Sequence, residues 1–267
     1  MSQSAAAALA PPPFELVLDD GEPLESDWHT VEFPLLRQLI RQAMAEQGRT
    51  DFFVGANIFV YYSLHQAWEV SEEEKKGLEK RAFRGPDVFW VGGVAADRDR
   101  QAWISWEEDR RLPDVIVELL SPSTAHKDRT EKRDLYAQVF RTAEYFLYDP
   151  ETHLLEGLRL AGESYRPIRT ARNGRLWSEQ LEVYLGLWQG EMEGRKGAWV
   201  RLFHPDGTLV PTDAEAQSER AETERQRAET ERRRAEAADE RSEAANERAE
   251  AAEAEIARLR ALLQERG

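Results

Sequence analysis

The sequence predicts a mixed α/β domain followed by a long, charged C-terminal helix. Three observations carry that prediction. Helix-spaced and strand-like apolar segments alternate through the first three-quarters of the chain. Two near-continuous apolar runs are each introduced by Pro-Asp. From about residue 214 onward a seven-residue repeat of Ala, Glu and Arg takes over, with almost no large apolar side chain before Ile256. All eight tryptophans precede that repeat, so the core belongs to the first part of the 267 residues.

Residues 1–26 read as a flexible arm, marked by Pro11-Pro12-Pro13 and Asp19-Asp20-Gly21. Val31, Leu35, Leu36, Leu39, Ile40 and Ala43 then recur at helical spacing, and Gly48 supplies a stop. Asn57 to Tyr62 reads as a strand, and the charged stretch Ser71 to Lys80 as a solvated helix or loop. Pro86 to Val91 and Pro113 to Leu120 read as strands buried on both faces, because neither shows polar alternation. A proline at the first strand position removes only one N–H from the ladder. Asp128 to Phe140 reads as a helix with Leu135, Tyr136, Val139 and Phe140 on one stripe, and Tyr145 to Tyr148 as a further strand. A meander through Leu154–Leu160 and Ser164–Ile168 follows. The expected domain spans 27–212 and the expected tail 213–267.

In the tail the first and fourth heptad positions form a seam: Ala221/Glu224, Ala228/Glu231, Ala235/Ala238, Ser242/Ala245, Ala249/Ala252 and Ile256/Leu259, then Leu263. A strict seven-residue period implies left-handed supercoiling if the helix pairs. The seam is poor in apolar area, and Glu–Arg pairs at helical spacing support a lone helix as well. A single solvated helix and a homodimer or partner helix through 214–264 are both open on this pattern.

Composition excludes several classes. No cysteine is present, so disulfides and thiolate metal sites are ruled out. No segment approaches the length of a membrane span and no basic leader precedes the apolar run Ala5–Ala10, so a cytoplasmic location without membrane association is expected. The formal net charge of −15 argues against gripping nucleic acid by bulk charge. Phosphate-binding glycine loops, the serine-hydrolase elbow and the zincin motif are absent. His29, His65, His126, His153 and His204 lack metal-ligand spacing.

Buried acid remains. Glu118 interrupts the apolar run Val-Ile-Val-Glu-Leu-Leu, where a carboxylate must be paired, hydrogen-bonded or bound to a cation. Asp87 opens the other Pro-Asp strand. If the two strands are neighbours, both carboxylates converge at one end of the sheet, and a hard divalent cation relieves their repulsion. The other reading has Asp87 capping a turn while Glu118 pairs with a nearby Lys or Arg. Lys132, four residues before Tyr136, extends the apolar stripe of its helix and can either snorkel or point into the acidic site. Asp128 lies one turn earlier on the same face. Trp90, Trp103 and Trp106 flank the site in sequence and are candidates for stacking on bases, and Arg129 and Arg133 for reaching phosphates.

These residues bring a family into view. From roughly Ser26 to Tyr184 the chain resembles the Uma-two family of restriction endonucleases, within the PD-(D/E)XK superfamily. The resemblance rests on Gly85-Pro86-Asp87-Val88, on Glu118-Leu119-Leu120-Ser121-Pro122-Ser123-Thr124, on Asp128, Lys132 and Tyr136 at four-residue spacing, and on Glu144-Tyr145 with Asp149-Pro150. It implies a restriction endonuclease-like mixed β-sheet flanked by helices, and a metal-dependent endonuclease acting on DNA. Asp87 and Glu118 would hold Mg²⁺ or Mn²⁺, together with the carbonyl of Leu119. The lysine of the superfamily motif belongs at 120, where this chain has Leu120, and the resemblance implies that Lys132 replaces it. The superfamily's further acid on the first helix falls on Glu32, with Asp27 next. A nuclease-fold module that no longer cuts, acting through its helical tail, is the rival reading, favoured by Leu120 and the net charge.

Overall fold

The computed structural model describes residues 12–18, 26–78 and 82–264. It divides into two compact units, 1–212 and 213–267. The first is built on a six-stranded mixed sheet with strand order β1-β3-β5-β6-β7-β8. Its members are β1 (Phe52–Ala56), β3 (Val88–Gly92), β5 (Val115–Leu119), β6 (Glu144–Asp149), β7 (Leu154–Ala161) and β8 (Ser164–Pro167). Two short strands, β2 (Val60–Tyr61) and β4 (Trp103–Ile104), pair separately in parallel. Helix α1 (Asp27–Glu46) contributes Leu36, Leu39, Ile40 and Met44, all buried, to the core on one face of the sheet. Helix α2 (Leu64–Lys76) starts on Ser63, whose hydroxyl accepts the Gln66 N–H, and stops at Gly77 in the left-handed conformation.

Within the six-stranded sheet only β5 and β6, among the described residues, pair in parallel. A parallel pair needs a crossover, and the helical run α3 (Ala125–Phe140) supplies it. Alternation along the central strands divides their side chains between two cores. Val88, Trp90, Val115, Val117 and Leu119 pack on the α1 side, whereas Phe89, Val91, Ile116 and Leu120 pack with Tyr136, Ala137 and Phe140 of α3. Asp87 and Glu118, by the same period of two, belong to the α3 face.

Several expectations are corrected here. Of the strand expected at Asn57–Tyr62 only Val60–Tyr61 forms, as β2, and β1 lies before it: Asn57 takes a left-handed φ of 49° and donates its N–H to the Asp87 carbonyl, which ends β1 and turns the chain. Part of the expected flexible arm is docked, since Phe14, Leu16 and Val17 pack against the cluster around Phe59, Tyr61 and Val70. Val139 is half-exposed rather than on the buried stripe. The reason is that α3 contains two π-helical stretches, Asp128–Lys132 and Tyr136–Phe140, whose widened turns break the 3.6-residue register. Trp90 and Trp103 are core residues and so unable to stack on bases. Trp106 packs partly against Tyr61.

A second sheet, β9 (Leu176–Ser178), β10 (Val183–Met192) and β11 (Arg195–Phe203), completes the first unit, and Trp199, Val200 and Leu202 of β11 join the α1-side core. The second unit is one helix, α4 (Asp213–Gln264), with its described side chains largely in solvent. Ile256 is half-exposed, and the side chains of Leu259 and Leu263 lie outside the described residues.

Candidate active site

β3 runs antiparallel to β5 with Val88 opposite Val117, so the residue before β3 meets the residue after Val117. That register brings Asp87 and Glu118 together. The Leu119 N–H donates to Asp87 Oδ2 (2.7 Å), and the Asp87 N–H lies 3.3 Å from Glu118 Oε2. The same register sends the other Pro-Asp acid to the far end: Asp114 accepts the Gly92 N–H and pairs with Arg111. Two sequence motifs that look alike therefore have different work, and only one belongs to the site.

Ser121 to Thr124 turns the chain from β5 into α3 through reciprocal hydrogen bonds between these two residues. The helix then returns over the end of β5 and presents Asp128, Lys132 and Tyr136 to Glu118. Lys132 Nζ is 3.1 Å from Glu118 Oε2 and 2.7 Å from Asp128 Oδ1. Tyr136 donates its hydroxyl proton to Glu118 Oε1 (2.6 Å), and Tyr145 donates to the Asp128 carbonyl (3.0 Å). Leu120 occupies the same sheet face as Glu118 and is buried in the α3-side core.

Glu118 and Asp128 thus share one buried ammonium, with the Asp87 carboxylate beside them. Burial, with the neighbouring Asp87 and Asp128 charges adding to it, pushes Glu118 well above the ordinary carboxylate range despite Lys132. Burial raises Asp87 as well. Burial disfavours the charge on Lys132, but Glu118, Asp87 and Asp128 outweigh it and hold the amine protonated above its usual range. Lys132 is accordingly held as a positive charge between Glu118 and Asp128.

The first helix contributes differently from expectation. Glu32 is buried, but its Oε1 accepts the Val200 N–H (3.1 Å) of β11, beside Arg201. Asp27 is ion-paired with Arg195. Helical geometry explains this: residues 27 and 32 face β11, whereas His29 reaches Leu119. His29 Nε2 lies 3.4 Å from the Leu119 carbonyl, and its Nδ1 lies 2.8 Å from Ser26 Oγ. A search for metal-ligand spacing passes over this histidine, which the helix places alone at the end of β5. Arg129 is ion-paired with Glu156 and Arg133 is exposed.

The family model described as "putative restriction endonuclease" (Uma2) matches residues 9–193, well over half of the chain. The chain belongs to the Uma2 family. That membership supports a nuclease function. Among solved structures, a putative nuclease from Anabaena variabilis is similar at 13% identity and a TM-score of 0.39, covering 61% of this chain and 81% of that one. No curated protein matches. Among the described residues no helix is long and apolar enough to cross a membrane.

Proposed function

We propose that this Uma2 protein is a metal-dependent endonuclease that hydrolyses phosphodiester bonds in DNA. The observation that carries the reading is the convergence of Asp87 and Glu118 at one sheet end under a lysine delivered by the crossover helix. The donors are all oxygen, and their negative charge exceeds the single ammonium, which is the chemistry a hard divalent cation satisfies. Among the described residues no three Asp, Glu or His side chains form a metal cage by themselves. The set proposed to hold Mg²⁺ or Mn²⁺ is the one the family resemblance implies, Asp87, Glu118 and the Leu119 carbonyl, a small protein share of the kind Mg²⁺ tolerates. When bound, such an ion polarises a phosphoryl oxygen and lowers the pKa of water.

The chain's own residues have separable parts. Tyr136 fixes the rotamer of Glu118 through a charge-assisted hydrogen bond. Asp128 holds the Lys132 ammonium beside Glu118, where it can stabilise negative charge on a phosphate. His29 sits by the Leu119 carbonyl and orients that end of β5.

The test is cleavage of supercoiled plasmid with Mg²⁺ or Mn²⁺ against an EDTA control. Nicking that depends on the metal supports the reading. Absence of cleavage on plasmid, single-stranded DNA and RNA sinks it in favour of a binding module.

The tail is proposed to pair two copies through its heptad seam. Deleting residues 213–267 is expected to turn a dimer into a monomer by light scattering. A dimer that survives the deletion removes the tail from that role.

A further inference from the structure

A cleft of about 480 Å³ opens beside β1, the edge strand of the large sheet. One wall is the exposed face of α1, where Pro34, Arg37 and Arg41 follow each other at spacings of three and four. Arg37 Nε donates to the Val54 carbonyl (3.3 Å), which lays its guanidinium along the strand edge. Among the described residues neither Arg37 nor Arg41 pairs with a carboxylate. The opposite wall carries Arg98 and Arg100. Both are bound to Glu108, and Arg98 also to Glu107, so their charge is spent. Arg100 also lies over the Phe53 and Trp103 rings, at 4.9 and 5.3 Å, which stiffens that wall. Asp99 stands among the lining residues as well.

Each wall touches a neighbour of the site rather than the carboxylates themselves. On the strand side the lining residue Asn57 donates its N–H to the Asp87 carbonyl (2.8 Å). On the helix side the lining residue Phe33 packs edge-on against His29 (5.5 Å), which touches the Leu119 carbonyl. An exposed Arg pair that meets no carboxylate partner among the described residues is out of keeping with a chain of net charge −15. Its charge complements a polyanion laid across the site.

We propose that this cleft holds the phosphodiester backbone of a DNA strand flanking the bond to be cut, with Arg37 and Arg41 as its phosphate contacts. The proposal rests on the nuclease reading of the carboxylate site. It also explains how an acidic protein holds DNA: the positive charge is local and lies beside the cut. Lysine at either position would keep the charge and lose the forked geometry that suits phosphate.

The experiment measures binding of a fluorescent 20-base-pair duplex by anisotropy in EDTA, over a range of salt, alongside the plasmid assay in Mg²⁺. The double variant Arg37→Gln/Arg41→Gln changes two exposed side chains. Each lost phosphate contact lowers the salt slope by about 0.9, so the slope should fall by about 2, with affinity at low salt weakened roughly tenfold or more. Arg166→Gln/Arg169→Gln removes the same charge from exposed positions on and just after β8, the opposite sheet edge, and should leave the slope near that of wild type. Equal slopes for the two double variants overturn the cleft proposal. If wild type cuts plasmid and the slopes are equal, the cleft fails and the nuclease stands. If wild type cuts nothing but the Arg37/Arg41 variant alone loses slope, the cleft stands and the nuclease fails. No binding of wild type to the duplex, in EDTA or in Mg²⁺, overturns both.

Discussion

Glu118→Gln is expected to reduce metal-dependent cleavage by about 10³-fold, the scale on which a single preorganised electrostatic group acts in an active site. The substitution keeps size and leaves an oxygen to accept the Tyr136 proton, so the β5–α3 junction survives. What disappears is the negative charge that faces Lys132 and the proposed metal. The same variant should be more stable than wild type in EDTA. Glu118 is fully buried and its pKa is raised, so its ionised form costs stability at any pH above that raised value. The sign follows: the gain, about 1–2 kcal/mol, should be present at pH 8 and shrink as the pH falls toward 4, where folded and unfolded chains are both protonated. Thermal melts at the two pH values measure it. A variant that loses activity while its melting temperature rises has not lost activity by unfolding. Asp87→Asn should follow the same pattern with a smaller stability gain, because Asp87 is only half-buried. A Glu118→Gln protein that cleaves as wild type would remove Glu118 from the reaction.

The strands that build this site were legible because they are buried on both faces. Val88–Val91 and Val115–Leu120 announce themselves by near-continuous apolar runs, and Glu118 stands out as the one charge inside them. The register that decides between Asp87 and Asp114 was not legible, since it depends on the pairing of β3 with β5. β1 does not stand out because Phe52–Ala56 is short, lies at the sheet edge and is followed by a stronger apolar run that looks more like a strand. β9 to β11 went unread for a related reason. They alternate glycine, charge and tryptophan, as in Trp188-Gln-Gly190-Glu-Met192, and only the pairing with β11 turns that into a sheet. On α1, an acid was the sought residue type. Glu32 and Asp27 answer to β11 instead, and the residue that reaches the end of β5 is a histidine no spacing rule selects. The π-helical stretches of α3 leave no mark in the apolar periodicity, yet they decide which side chains of that helix face inward.

Lys132→Met is expected to destabilise the metal-free protein by about 3 kcal/mol, which is the scale for breaking one side of a buried charge pair. The methionine fills the same channel, so packing loss is minor and the effect reports charge. Three carboxylates remain with no cation among them, and Glu118 is fully buried. The pH dependence discriminates this from a packing defect. In wild type the Lys132–Glu118 attraction requires an ionised Glu118, whose pKa is held well above the ordinary carboxylate range. Lowering the pH through that value protonates Glu118 in both proteins, so the deficit should narrow from pH 8 toward pH 4. A deficit that stays constant over that range would assign Lys132 a packing role only. Divalent metal supplies a second axis. An ion that binds the folded variant adds RT ln(1 + [L]/Kd), and the variant should gain more from Mg²⁺ or Mn²⁺ than wild type does, because the ion replaces the missing positive charge. The catalytic consequence separates two uses of the lysine. If Lys132 serves only to neutralise the carboxylates, saturating metal should restore cleavage together with stability. If it also steadies the phosphate, stability should return with the metal while cleavage stays about 10²-fold down.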